Sequence, residues 1–357
     1  MTRWEQARQL LGLGRRDRGT GRHGQLGQQQ PEAHQDVWLR RLSDEAGPPR
    51  GAGPNSSPAP ARDEESYSAS GHSRAAGSAQ RRARSLCIAS GKGGTGKSSI
   101  SATMATLFAR RGPTLLMDGD LGCANAHILQ DAKPKHSFAD VISGEVGVPE
   151  IVTSCRNGVD LLAGGSGLAR LAGLKTFELE MIGRGLERLE PLYQHLVIDS
   201  AAGLSRQTVA FAVACDATVV VTTPDVTAMT DAYAFLKVFV RQCEAQGIDR
   251  PMPYLVVNRA TSVAEAEGVA RRLEEVVHKF LGRKIELIGV LPEDRAVFRA
   301  SQRRRSVVEA EPESEISRAL QTLSNSILSR MSRVEGTKAR RRGVGRALAE
   351  GATGKIA

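Results

Sequence analysis

The feature that most constrains this chain is an eight-residue loop, Gly91-Lys92-Gly93-Gly94-Thr95-Gly96-Lys97-Ser98. It fits the pattern GxxxxGK[ST], and it stands where that pattern has physical meaning. An apolar run, Leu86–Ala89, leads into it as a strand, and a helical pattern over 97–111 opens from it. Glycines let successive backbone N–H groups turn inward around phosphate oxygens, a geometry that most side chains would block. The helix N-terminus adds its partial positive charge. The loop therefore predicts a nucleotide site in which residues Gly91, Lys92, Gly93, Gly94, Thr95, Gly96, Lys97, Ser98 and Ser99 surround the phosphates. Lys97 should reach the β- and γ-phosphates, and the Ser98 hydroxyl should ligate Mg2+. A glycine-rich turn without a ligand is the alternative, and the density of the pattern argues against it.

The rest of the middle of the chain repeats the strand-then-helix texture. Thr114–Met117, Val159–Leu162, His195–Ile198, Ala217–Thr222, Tyr254–Val257 and Ile285–Val290 read as further strands. Helical patterns lie between and after them, at about 137–143, 175–190, 205–214, 227–246, 262–281 and 313–331. Near-continuously apolar strands alternating with helices predict an α/β fold: a doubly wound, mostly parallel sheet with helices on both faces.

The ends differ in kind. Residues 15–84 are rich in Gly, Pro, Ser, Gln, Arg and Ala and are expected to be a disordered linker. Before them, residues 1–14 hold a short amphipathic pattern that puts Trp4, Ala7, Leu10 and Leu11 on one helical face. Residues 333–357 read as a basic, solvated tail, and 85–332 as the folded domain. The net charge of +10 suggests a nucleic-acid binder until it is divided. The segment 85–332 carries 28 residues of each sign, so all the excess lies in the two ends. DNA binding by the domain is therefore not favoured. Five scattered cysteines (Cys87, Cys123, Cys155, Cys215, Cys243) without a CxxC pair indicate neither a disulfide framework nor a zinc site. No stretch is long and apolar enough for a membrane span or a signal peptide, so a cytoplasmic protein is expected. The histidines form no catalytic constellation.

Three more sites flank the loop. Met117-Asp118-Gly119-Asp120 ends the second strand and continues as Leu121-Gly122-Cys123-Ala124-Asn125. Leu196-Val197-Ile198-Asp199 is an apolar strand ending in a carboxylate, followed by Ser200-Ala201-Ala202-Gly203. Asn258-Arg259 and Pro292-Glu293-Asp294 close two later strands. A carboxylate at the C-terminal edge of a strand points into the ligand crevice of a doubly wound sheet. With the early lysine, Lys92, these motifs resemble the MinD/ParA family of ATPases, which carries a deviant form of the phosphate loop and dimerises. The resemblance covers about 85–332. It implies ATP and Mg2+ as ligands and a homodimer in the ATP state, with Lys92 reaching the partner's nucleotide. It makes Asp120 the residue that positions the attacking water. Asp199 would hold Mg2+ through water, with Asp118 second-shell to the metal. Asn258 and Arg259 would sit at the adenine, with Pro292, Glu293 and Asp294 in the loop over it. One departure is Ala201, where the family's cell-division members carry proline.

Two further segments, Leu162–Gly167 and Val221–Tyr233 (VTTPDVTAMTDAY), resemble the branch of flagellar number regulators known as FlhG, FleN or YlxH. In that branch an N-terminal DQAxxLR segment stimulates FlhF, the flagellar signal-recognition-type GTPase. Glu5-Gln6-Ala7-Arg8-Gln9-Leu10 is similar to it, with Glu5 for Asp and Leu11 for Arg. The resemblance implies partner contacts through Trp4, Glu5, Gln6, Ala7 and Leu10, with Gln6 as the key one; a plain amphipathic helix is the alternative. The family often ends in a membrane-binding amphipathic helix. Here the stripe Ile316, Leu320, Leu323, Ile327, Leu328 and Met331 reads as the last core helix, and the tail beyond could add only electrostatic attraction to anionic lipid. Weak attachment at the inner face of the cell membrane stays open. The expected function is an ATP-dependent dimerising switch that controls flagellar number or placement. The rivals are a DNA-partition or division-site ATPase, and a nucleotide-binding adaptor without significant turnover.

Overall fold

The alternation of apolar runs and helical runs becomes one sheet with helices on both sides. The computed structural model describes residues 82–165, 173–334 and 343–353. The strands are β1 (Arg84–Ser90), β2 (Thr114–Gly119), β3 (Val152–Ser154), β4 (Val159–Leu162), β5 (His195–Ala202), β6 (Ala217–Thr222), β7 (Tyr254–Ala260) and β8 (Leu287–Pro292). Their spatial order is β3-β4-β2-β5-β1-β6-β7-β8. Only β3, at one edge, runs antiparallel to its neighbour. The helices are α1 (Lys97–Ala109), α2 (Ala126–Leu129), α3 (Phe138–Ser143), α4 (Thr176–Leu189), α5 (Arg206–Ala214), α6 (Val226–Ala245), α7 (Val263–Leu281), α8 (Arg295–Gln302), α9 (Val307–Ala310), α10 (Glu315–Val334) and α11 (Val344–Thr353).

Burial explains why the strands carry no polar face. In β1, Leu86 and Ile88 join the core on one side of the sheet, while Cys87 and Ala89 join the core on the other. Side chains alternate across a strand, so a sheet covered twice needs apolar residues at every position. Helix α1 is buried almost all round. Its polar residues are accommodated by bonding back to the helix: Thr103 Oγ1 donates to Ser99 O at 2.7 Å and Thr106 Oγ1 to Ala102 O at 2.9 Å.

Topology then places the ligand crevice. From β1 the chain goes one way, through β2 and β4, and returns to β5; it then crosses to β6 on the other side of β1. At such a reversal the helices diverge above the carboxyl ends of the strands and leave a crevice. The loop 91–96 leaves β1 at that point.

The expected strands and helices are all present, with ends displaced by a few residues. Five elements were not legible: β3, α2, α8, α9 and α11. Three of these span three or four residues, too short to show a period. The last overturns an expectation. Residues 333–357 read as a solvated tail, but Val344–Thr353 is a helix packed on α4, with Val344 and Leu348 buried. Small residues make the approach possible. A Cβ on Gly345 would lie 2.4 Å from the Glu187 backbone nitrogen, and one on Gly183 would lie 2.6 Å from Gly345 O. Gly345 N–H also donates to the buried Glu190 carboxylate at 2.6 Å, which caps the helix N-terminus. With only Val344 and Leu348 as buried apolar residues, the pattern carried too little hydrophobicity to be read.

The stripe on α10 behaves as expected: Ile316, Leu320, Leu323, Ile327, Leu328 and Met331 are all buried. Among the described residues no helix is long and apolar enough to cross a membrane. Residues 1–81, with Trp4, Glu5, Gln6, Ala7 and Leu10, lie outside the described residues, as do Ser166 and Gly167.

One buried group makes the fold sensitive to acid. His195 opens β5 against the Phe108 ring, 5.1 Å between centroids, and its Nδ1 has no hydrogen-bond partner. Burial, with Arg84 and Arg111 nearby, pushes it down to about 4. A histidine whose folded value lies below its unfolded one (about 6.5) costs stability as pH falls between the two. At pH 5 the loss should be about 2 kcal/mol relative to pH 7. Urea unfolding at the two pH values should show this difference, and His195→Gln should remove most of it.

Candidate nucleotide site

The site is assembled at the carboxyl ends of β1, β2 and β5–β8. The loop 91–96 is shaped by close approach as well as by phosphate geometry. A Cβ on Gly91 would lie 2.1 Å from Asp231 O on α6, so the loop packs directly on that helix. Gly96 has φ 94°, in the left-handed region, and a Cβ there would meet Asn258 Nδ2 at 2.3 Å. Asn258 Nδ2 in turn donates to Thr95 O at 2.8 Å. That bond uses the amide's donor and turns its oxygen outward as an acceptor. The Thr95 hydroxyl is buried without a partner.

Inside the crevice, charge is concentrated and dry. The backbone register sets Asp118 of β2 beside Asp199 of β5, and both carboxyls are buried. Burial raises the pKa of each; Asp199 raises that of Asp118 further. The Ser98 and Ser101 hydroxyls and the Lys97 ammonium pull Asp199 back towards ionisation; the Ser101 bond is 2.9 Å. Lys97 is itself buried. Desolvation lowers its pKa, and the charges of Asp199 and Asp120 oppose that. This keeps a cation aimed where phosphate oxygens would sit.

Asp118 accepts from Asp120 N at 3.2 Å and from Ala126 N at 2.9 Å. It therefore clamps both ends of the loop 120–126. Asp120 is half-buried and accepts from Cys123 N at 3.2 Å. Across from it, the loop 200–205 is tied to the phosphate loop: Ser200 Oγ donates to Ile88 O at 2.9 Å and Gly203 N to Ser90 O at 3.0 Å. Gln207, on α5, donates to Gly119 O at 2.9 Å and joins the two loops.

Two cavities flank the loop. One, of about 430 Å³, is lined by Gly96, Ser99, Asn258, Arg259 and the run Pro292-Glu293-Asp294. The structure thus brings together the residues expected at the adenine. Asp294 has a second duty, capping α8 through Ala296 N at 2.8 Å. Phe298 also lines this cavity and is 66% exposed; it was not foreseen, because α8 was not. Arg259 reaches both cavities from a left-handed backbone, φ 57°.

The second cavity, of about 450 Å³, lies around Lys92 with Gly93, Gly94, Pro224 and Asp225. Lys92 Nζ donates to Asp225 Oδ2 at 2.7 Å and to Thr227 Oγ1. Asp225 caps α6 by accepting from Thr227 N at 2.9 Å, and the lysine holds its carboxyl below the usual range. Lys92 therefore rests outside its own phosphate cradle. Asp225, Thr227 and Asp231 all come from the segment 221–233. Its wording was legible; its role as the socket of Lys92 was not, because 130 residues separate them.

Residues 86–307 match the family described as the CobQ/CobB/MinD/ParA nucleotide binding domain. The chain belongs to this family. Its relatives include the antiactivator FleN of Pseudomonas aeruginosa, 30% identical over 68% of this chain and 85% of FleN. The flagellum site-determining protein YlxH of Helicobacter pylori is 27% identical over 69% of this chain and 82% of its own. Among solved structures, the cell division ATPase MinD of Pyrococcus furiosus superposes with a TM-score of 0.57 at 24% identity, over 69% of this chain and 98% of that one. MinD of Pyrococcus horikoshii, solved with Mg-ADP, gives 0.56 at 22%, over 69% and 96%. The protein is an ATPase of the MinD/ParA type.

The donor set fits Mg2+. Among the described residues no cluster of three or more carboxylate, histidine or cysteine side chains is ready to hold a metal. That suits an ion which keeps several waters and relies on one or two carboxylates and the nucleotide's phosphates.

Proposed function

We propose that the protein is an ATP-driven dimerising switch that regulates flagellar number or placement. The observation that carries the switch is the seat of Lys92, a conspicuous cation of the phosphate loop that makes no use of its own cradle. It is placed to serve a second nucleotide. The flagellar reading is supported by FleN and YlxH, whose names describe an antiactivator and a flagellum site-determining protein.

The reaction is ATP + H2O to ADP + phosphate. Backbone N–H groups of 93–98 and Lys97 bind the triphosphate, and Asp120 orients the water that attacks the γ-phosphorus. Ser98 and, through water, Asp199 would hold Mg2+, with Asp118 behind them; the ion would neutralise charge on the β- and γ-oxygens. Asn258, with its acceptor turned outward, suits the amino group of adenine and opposes the carbonyl of guanine. Release of phosphate would loosen the loops 120–126 and 200–205 together, since Gln207 joins them.

The partners in this reading are a second copy of the chain and the GTPase FlhF, met through Gln6 and its neighbours. The C-terminal amphipathic helices α10 and α11 both bury their apolar faces, so membrane attachment through either requires its release. The neutral domain does not favour DNA. The decisive experiment follows GTP hydrolysis by the same organism's FlhF with a peptide of residues 1–20 and with its Gln6→Ala version. Stimulation that disappears with Gln6→Ala is expected. No stimulation by either peptide would remove the FlhF role and leave the ATPase without an assigned output.

A further inference from the structure

A groove on the face of the domain formed by α6 and α7 is not used by the nucleotide site. It has a volume of about 290 Å³ and is lined by Tyr233, Val240, Phe280 and Leu281, with Lys237, Arg241 and Glu244 at its edge. The α6 residues recur at intervals of three and four, so they form one stripe of that helix. Tyr233 and Phe280 meet edge to face, 6.5 Å between centroids, giving the groove an aromatic floor. An aromatic, apolar slot with a charged edge is the form that takes an amphipathic helix.

We infer that this groove is the resting place of the chain's own N-terminal segment, residues 2–13. Three observations select that occupant. The first is apolar pattern: Trp4, Ala7, Leu10 and Leu11 share one helical face, and a tryptophan is the side chain best suited to an aromatic slot with cations at its edge. The described residues contain no tryptophan at all. The second is charge spacing. Glu5 and Arg8 are three residues apart on the segment, and Arg241 and Glu244 are three apart on α6. Laid parallel, the two helices set Glu5 against Arg241 and Arg8 against Glu244, with equal rise between the pairs. The third is reach. The 67 residues from 15 to 81 could extend on the order of 200 Å, so the tether forbids no site on the domain. Tethering also supplies a local concentration on the order of a millimolar or somewhat below, so even a weak contact would be occupied.

The groove lies on the helix whose other end seats Lys92. The inference does not need the FlhF reading: it says where the segment rests, whatever it acts on. If the segment does act on a GTPase, it must first leave this groove.

Fluorescence tests it in the full chain. Trp4 and Trp38 are the only tryptophans, so Trp38→Phe leaves Trp4 as the sole reporter. In that chain Trp4 emission should be blue-shifted, and iodide quenching several-fold weaker, relative to a peptide of residues 1–20. Adding Lys237→Glu and Arg241→Glu, both at the groove's edge, should return both readings to the peptide's values while circular dichroism stays unchanged. Peptide-like emission before those changes would overturn the inference. So would protection that the two reversals leave untouched, or that fades on dilution, which would mean a neighbour's segment. The reciprocal chain, Trp4→Phe, reports Trp38; protection of Trp38 that the same reversals abolish would assign the groove to the second island and overturn the inference.

Discussion

Asp120→Ala should lower steady-state ATP turnover by roughly 10²–10⁴-fold, the span usually lost with a positioned acid–base or water-orienting group. Nucleotide affinity should change little. The contrast follows from placement. Lys97, the loop amides and Asn258 bind the nucleotide, whereas Asp120 is half-buried at the crevice mouth and touches only its own loop. Its carboxylate accepts from Cys123 N at 3.2 Å, a long bond that a water could displace with small loss. Asp118, not Asp120, holds the loop ends through Asp120 N and Ala126 N, so the loop should survive the change. Phosphate release would be measured beside equilibrium binding of a fluorescent ATP analogue. Unchanged turnover would place the water elsewhere, and lost binding would make Asp120 a ligand of the nucleotide.

How much of this was legible in the chain depended on the distance over which each feature is decided. The phosphate loop is decided within eight residues, and its strand and helix flanks lie beside it. Asp118 and Asp199 were legible for a similar reason: each ends an apolar strand, and a parallel sheet brings such ends together. What no local pattern carries is what faces what. Lys92 and Asp225 meet only because α6 packs on Gly91, and nothing near either residue announces the other. The second duty of Asp294 was hidden because α8 was hidden. The C-terminal helix was missed because its packing rests on glycines, which a search for apolar periodicity counts as absences. Gly183 and Gly345 contribute by what they lack, letting two backbones approach and leaving the Glu190 carboxylate to cap the newcomer.

The seat of Lys92 supports two changes of opposite sign at one contact. In the proposed dimer Lys92 leaves Asp225 and meets the partner's phosphates, where a cation supplied in trans can be worth roughly 10³-fold or more in rate. Lys92→Ala should therefore abolish ATP-dependent dimerisation and reduce turnover by about that factor, while a monomer still binds ATP. Asp225→Ala removes the resting partner instead. The ion pair is about half-exposed on both sides, and such pairs contribute little, ~1 kcal/mol at most. Freeing the lysine should then favour the dimer by only a few-fold, and Thr227, which accepts from the same ammonium, would blunt even that. Sedimentation of each variant with and without ATP separates the cases. A monomeric Lys92→Ala beside an Asp225→Ala that dimerises at lower ATP would make Asp225 a weak brake on the switch. Loss of the dimer in both would mean that the cap of α6 is itself part of the interface. A Lys92→Ala protein that dimerises and turns over normally would remove the lysine from the mechanism.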